Sequence, residues 1–219
     1  MHLSPRAEGY TRVARAVVAS ILVLALTRFG PSFHSLGPHG GLFGRLLYLT
    51  LLTAGLPAVA VLYKTTLRPA GCGLGAGDSL RYQKWIVSAA VLAVGGGFVA
   101  SRFQGMRDYY PIYRAVLDHP MLWVPSTVAF SAYGLAWEGM FRGALLLGTQ
   151  DVVGKSGALI LQTLLFAAGH WDKPPLELLL SVPAGLFFGV VALKTKSILP
   201  GFLIHATLSL SVNLFCAYG

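Results

Sequence analysis

Few side chains in this sequence can do chemistry, and most of those that can lie between residues 137 and 213. Glu138 and Arg142 stand four apart in Trp137-Glu138-Gly139-Met140-Phe141-Arg142-Gly143. At 3.6 residues per turn they share a helix face, with Glu N-terminal to Arg, the better order for an ion pair. Their flanks, Val124 to Leu135 and Ala144 to Leu147, are apolar enough for a bilayer. A charge at membrane depth costs roughly 3 kcal/mol or more, so an intramembrane glutamate points to function. The same pair could instead serve to neutralise itself and lock two helices together. His170 follows Phe166 by one turn, and His205, Ser209 and Asn213 recur at steps of four, which keeps them on one helix face. Each histidine alone is as readily a hydrogen-bonded packing residue as a catalytic one. Together, one carboxylate and two imidazoles suffice for general-base hydrolysis, or for a metal site in which Glu138, His170 and His205 leave a fourth position to water. Two more acids flank His170. Glu177 follows Pro174-Pro175 at a helix start, where the dipole favours a carboxylate, and is otherwise a spare carboxylate near His170. Asp172 reads as a turn or capping residue, and His119 as a solvated loop histidine.

The elements that must position these groups are membrane helices. Hydrophobic residues make up 55% of the chain and charged ones 11%, against roughly 25% charged in a soluble domain. The 219 residues accommodate about six to eight spans of ~20 residues. The net charge of +9 does not point to nucleic acid, because the 17 Lys and Arg are scattered at span ends, as headgroup anchors are. Cys72 and Cys216 show no metal or redox spacing and read as small apolar fillers.

Seven hydrophobic segments follow in order. A polar tail, Met1 to Arg15, leads into Ala16 to Leu26. The only cleavage-like site after it, Thr27-Arg28-Phe29, is a poor one, so a retained helix is expected rather than a signal peptide. A Gly/Pro/His connector (Gly30 to Gly41) precedes a span from Leu42 to Tyr63 that Pro57 should kink. Lys64 to Lys84 is a loop with a glycine cluster, Gly71 to Gly77, and Trp85 to Ala100 is a third span whose Gly95-Gly96-Gly97 suggests close helix approach. Ser101 to Pro120, with Tyr109-Tyr110, suits the headgroup interface. Met121 to Leu147, Ser156 to His170, Leu176 to Leu193 and Leu199 to Tyr218 complete the set, with Gly185 and Gly189 forming a packing face. With a cytoplasmic N-terminus, ten Lys and Arg fall on inside loops and six outside, the bias of the positive-inside rule. No internal repeat of the transporter kind is present. The expected architecture is an all-α polytopic transmembrane bundle, with N-terminal helices over 1–120 and a core over 121–219.

The order Glu-x-x-Phe-Arg-Gly, then Phe-x-x-x-His, then Pro-x-x-x-x-His in Ser197-Ile198-Leu199-Pro200-Gly201-Phe202-Leu203-Ile204-His205 resembles the CAAX protease and bacteriocin-processing (CPBP, or Abi) family of intramembrane endopeptidases. The resemblance covers about residues 121 to 215. It implies a metal-free glutamate mechanism without cofactor, with Glu138 as base, Arg142 orienting it, His170 holding the water, and His205 stabilising the oxyanion with help from Ser209 or Asn213. It also implies a membrane-associated protein or peptide substrate, cut near a lipidated or sorting-signal C-terminus, in a bacterial plasma membrane. The sequence departs from the family in two places. The paired glutamates become Trp137-Glu138, and an indole cannot take a proton from water. His-x-x-x-Asn becomes His205-x-x-x-Ser209, with Asn213 a turn later. A relative that binds or scaffolds a membrane peptide without cutting it is the alternative.

Overall fold

The structure, a computed structural model, describes residues 4–29, 37–62 and 69–219, which contain helices and turns and no strand. The parts of the two expected connectors at 30–36 and 64–68, the last residue of the expected second span at 63 and the first three residues of the expected tail lie outside the described residues. Nine α-helices are present among those described: α1 (Pro5–Phe29), α2 (Gly37–Leu62), α3 (Gln83–Ala100), α4 (Gln104–Tyr109), α5 (Ala115–Asp118), α6 (Trp123–Glu138), α7 (Gln150–Ala168), α8 (Pro175–Thr195) and α9 (Leu199–Tyr218). Six segments are each long and apolar enough to cross a bilayer. The seventh hydrophobic segment is also helical, but α6 passes at Gly139 into a π-helix, Gly139–Leu147. Side chains along α3 such as Val87, Val91 and Leu92 are exposed, as suits a surface solvated by lipid. The chain is an integral, multi-pass membrane protein.

Local chemistry explains where the helices begin and end. Helix α1 starts well before its apolar run because Ser4 Oγ accepts the Ala7 amide, with Glu8 in the first turn and Arg28 in the last to match the dipole. Helix α7 contains a break at Gly154 (φ 76°, ψ 157°), so its regular part starts where the apolar run does. Pro175 opens α8, as its missing N–H allows.

Contacts between loops sort the molecule into two ends. At the first, Arg12 of α1 pairs with Asp151, and the glycine cluster closes on the α8–α9 turn: the Asp78 amide donates to Thr195 O (2.7 Å), Ser197 Oγ to Gly75 O (2.6 Å) and the Ile198 amide to Gly73 O (3.0 Å). Gly77 (φ 52°) is required there, since a Cβ would lie 2.2 Å from Thr195 O. At the second end, Arg28 pairs with Asp172, and the segment between α3 and α6 crosses the ends of α8 and α9. It is tied down by Tyr110 Oη donating to Glu177 Oε2 (2.7 Å) and by the Ile112 amide donating to Asn213 Oδ1 (3.0 Å). Burial and the Glu177 carboxylate together push the Tyr110 phenol far above its ordinary pKa, so it is a neutral donor.

Small residues let the helices touch. A Cβ on Gly97 would lie 2.5 Å from Ser211 Cβ and 2.9 Å from the Val212 amide; one on Gly189 would lie 2.3 Å from Leu159 Cδ1. Gly95, by contrast, has nothing within 4 Å. Gly97→Val is therefore expected to destabilise the bundle by about 1–3 kcal/mol, because backbone cannot give way, and Gly95→Ala to leave the melting temperature in detergent unchanged. Cys72 is buried in the cluster that holds Met140, Phe141 and Ala144, and desolvation pushes its thiol up to about 11, with Arg12 opposing. At pH 8 about one Cys72 in a thousand is then a thiolate. Maleimide should label it only on unfolding.

Candidate active site

Glu138 is the last α-helical residue of α6, and the wide turns of the π-helix begin immediately after it. The Gly148 amide donating to Gly143 O (2.8 Å) is one of its five-residue bonds. Helices of this kind recur at functional sites, where the extra residue per turn re-aims side chains. Gly143 lets the segment approach the loop below, since a Cβ there would lie 3.0 Å from Cys72 O. The expected pair survives the change of pitch: Arg142 Nη1 lies 3.2 Å from Glu138 Oε1, and both side chains are 0% exposed. The contact is an ion pair rather than an aligned hydrogen bond, and all three guanidinium nitrogens lack a hydrogen-bond acceptor. Aromatic faces compensate. The guanidinium carbon is 4.2 Å from the Phe166 ring centroid, 5.1 Å from Phe188 and 6.0 Å from Phe141, within cation–π range.

The second contact of Glu138 comes from α9. His205 Nδ1 lies 2.9 Å from Glu138 Oε1. A carboxylate paired with a guanidinium only accepts hydrogen bonds, so Nδ1 is the donor. The His205 ring stacks on Phe188 (centroids 5.2 Å, 22° between planes) and meets the Phe166 ring edge at 5.9 Å. Its side chain is 21% exposed. The other carboxylate oxygen, Oε2, is buried without a hydrogen bond and faces Gly201, where a Cβ would lie 3.2 Å away. The start of α9 thus supplies both the imidazole and the gap beside the acid.

His170 lies two residues beyond the end of α7, in the turn before α8, and is buried. Its Nδ1 donates to Phe166 O (2.8 Å), since a carbonyl cannot donate; the neutral ring therefore offers Nε2 as an acceptor. The Phe166 ring packs on both imidazoles, 4.5 Å from His170 and 5.9 Å from His205. Trp137 is buried on the other side of His170, with centroids 6.3 Å apart, and its indole lies so close to Gly169 that a Cβ there would meet it at 2.8 Å. It also packs on Tyr133 (5.6 Å) and Phe141 (4.9 Å).

The structure brings together Glu138, Arg142 and His205, with His170 joined through Phe166. Ser209 is exposed on α9 one turn beyond His205. Asn213 spends its amide elsewhere, donating to Ser209 O (2.8 Å) and accepting from the Ile112 amide, so it ties α9 to the interfacial segment. Glu177 is occupied by Tyr110 and lies 3.8 Å from Lys173 Nζ. Asp172 pairs with Arg28. Among the described residues, no group of three His, Cys, Asp and Glu side chains is placed to hold one metal ion, so the zinc arrangement has no assembled donor set. Sequence reasoning missed Phe188, whose ring carries both Arg142 and His205; in Leu186-Phe187-Phe188 nothing marks it off from an ordinary lipid-facing residue.

No curated protein and no solved structure matches the chain. A family model does, over residues 119–211: Type II CAAX prenyl endopeptidase Rce1-like. That match covers the stretch that carries Glu138, Arg142, His170 and His205.

Proposed function

We propose that the protein is an intramembrane endopeptidase that hydrolyses a peptide bond close to the membrane-proximal C-terminus of another protein. The observation that carries this reading is the contact between His205 Nδ1 and Glu138 Oε1, two polar groups from different helices inside the family domain. A charged side chain is costly in lipid, and here it orients an imidazole that keeps 21% of its surface open. The Glu138–His205 pair handles the proton of the attacking water. His170 offers its Nε2 to that water, and the exposed Ser209 hydroxyl donates to the tetrahedral oxyanion. Arg142 holds Glu138 in place. The family description and the apolar surroundings favour a tail bearing a lipidated cysteine, with an unmodified apolar sorting tail as the second class of substrate.

The test is a mass-spectrometric survey of protein C-termini in native cells carrying wild type, His205→Ala or Glu138→Gln at matched protein levels. Uncut tails should accumulate in both variants, and their sequences define the substrate. Coincident profiles in all three would make the protein a non-cleaving relative, with the Trp137 indole beside His170 as its structural mark. Ser209→Ala should lower turnover by about 10²–10³-fold at unchanged KM, the effect of losing one oxyanion donor.

A further inference from the structure

We infer that the base of this site is His205 and that Glu138 acts on the reaction only through it, as a carboxylate–imidazole pair. The inference rests on the endopeptidase reading and assigns the roles within it. Three observations lead here. Glu138 is 0% exposed: Oε1 faces Arg142 and His205, and Oε2 faces Gly201, so both oxygens are enclosed by protein. His205 is 21% exposed, and because its Nδ1–H is bound to Glu138, the nitrogen left with a lone pair is Nε2. Trp137 removes the remaining place for an acid on α6 beside His170, since its indole is packed there against Gly169.

The reaction closes without any co-reactant. A water oxygen forms a bond to the peptide carbonyl carbon while one of its protons moves to His205 Nε2, and the carbonyl π pair moves onto oxygen. The imidazolium formed is stabilised through Nδ1–H by Glu138, which stays ionised throughout. The oxyanion then reforms its double bond, the C–N bond breaks, and the Nε2 proton passes to the departing amine. The new carboxyl group ionises to solvent and His205 returns to its neutral tautomer. The same division of labour between a buried acid and an imidazole serves in serine hydrolases. Here water stands where their hydroxyl would. Phe188, stacked on the imidazole of His205, and Phe166, edge-on to it, bound the slot that the ring fills, so that a glycine at 205 leaves a cavity able to take free imidazole.

That slot provides the test. The full chain, purified in detergent, is given a quenched-fluorescent peptide ending in a prenylated Cys-a-a-X tail, and also the tail peptides found uncut in the cellular survey. His205→Gly should be inactive alone and regain cleavage with added imidazole, and across substituted imidazoles of similar size the rescued rate should rise with their basicity. Glu138→Gln, which keeps an acceptor for Nδ1–H, should fall by about 10⁴-fold yet stay above background. A structural role for His205 would give no dependence on basicity. Rescue that is flat with basicity, or absent in a folded His205→Gly protein, overturns the inference. So does rescue of Glu138→Gly by formate with His205→Gly unresponsive. Should His205→Gly not fold, His205→Gln decides: at background it supports the base role, and retention of more cleavage than Glu138→Gln overturns it. Failure of the unsubstituted protein to cleave any of these peptides would instead overturn the endopeptidase reading itself.

Discussion

Arg142→Ala should destabilise the protein by about 3–5 kcal/mol, the range for removing one partner of a buried ion pair. The Glu138 carboxylate has no other cation within ion-pair distance among the described residues, and its Oε2 already lacks a hydrogen bond. Without Arg142 it would be an uncompensated charge among Phe141, Phe166 and Phe188. The three rings would lose their cation as well, and a cavity would open where the largest fully buried side chain had been. Unfolding in detergent, followed by thermal melting, measures the effect. Arg142→Lys should recover part of the loss, because it restores charge but not the flat face that stacks on rings. Glu138→Gln with Arg142→Met should be more stable than Arg142→Ala, since no unpaired charge remains. A melting curve of Arg142→Ala that superimposes on wild type would mean that the carboxylate is compensated by something other than this pair.

Trp137→Ala should cost a comparable amount, about 3–5 kcal/mol, as deletion of a large buried aromatic does. The indole packs on Tyr133, Phe141, His170 and Gly169. Trp137→Phe should retain most of the stability. The more informative substitution is Trp137→Glu, which restores the acid that the family resemblance places at this position. With His205 as the proposed base, this variant should melt lower than wild type and show no gain in cleavage per folded molecule. An increase in turnover would show that the site lacks a carboxylate beside His170 and that Trp137 holds the enzyme below its capacity.

Much of this molecule was legible in the sequence because membrane folds obey a severe rule. Backbone amides must be satisfied within each segment, so long apolar runs have little choice but to be helices. The expected final span, Leu199 to Tyr218, has the limits of α9, and the glycine pair Gly185 and Gly189, expected as a packing face, packs on α7. The Glu138–Arg142 pairing followed from spacing alone. The π-helix did not, because nothing in Gly139 to Leu147 separates a wide turn from an ordinary one except the packing that holds it.

The candidate site divides the same way. The sequence by itself determined which side chains are costly in lipid, Glu138, Arg142, His170 and His205 among them, together with the all-helical frame that carries them. Only the tertiary structure decided their partners. It turned Asn213 to the Ile112 amide, Glu177 to Tyr110 and Asp172 to Arg28, and it buried Glu138 while leaving His205 partly exposed. The physical reason is that cost in lipid is a property of one residue, readable in one dimension. Access to water and the direction of a lone pair depend on which helices stand beside it, and those contacts join residues as far apart as Glu138 and His205.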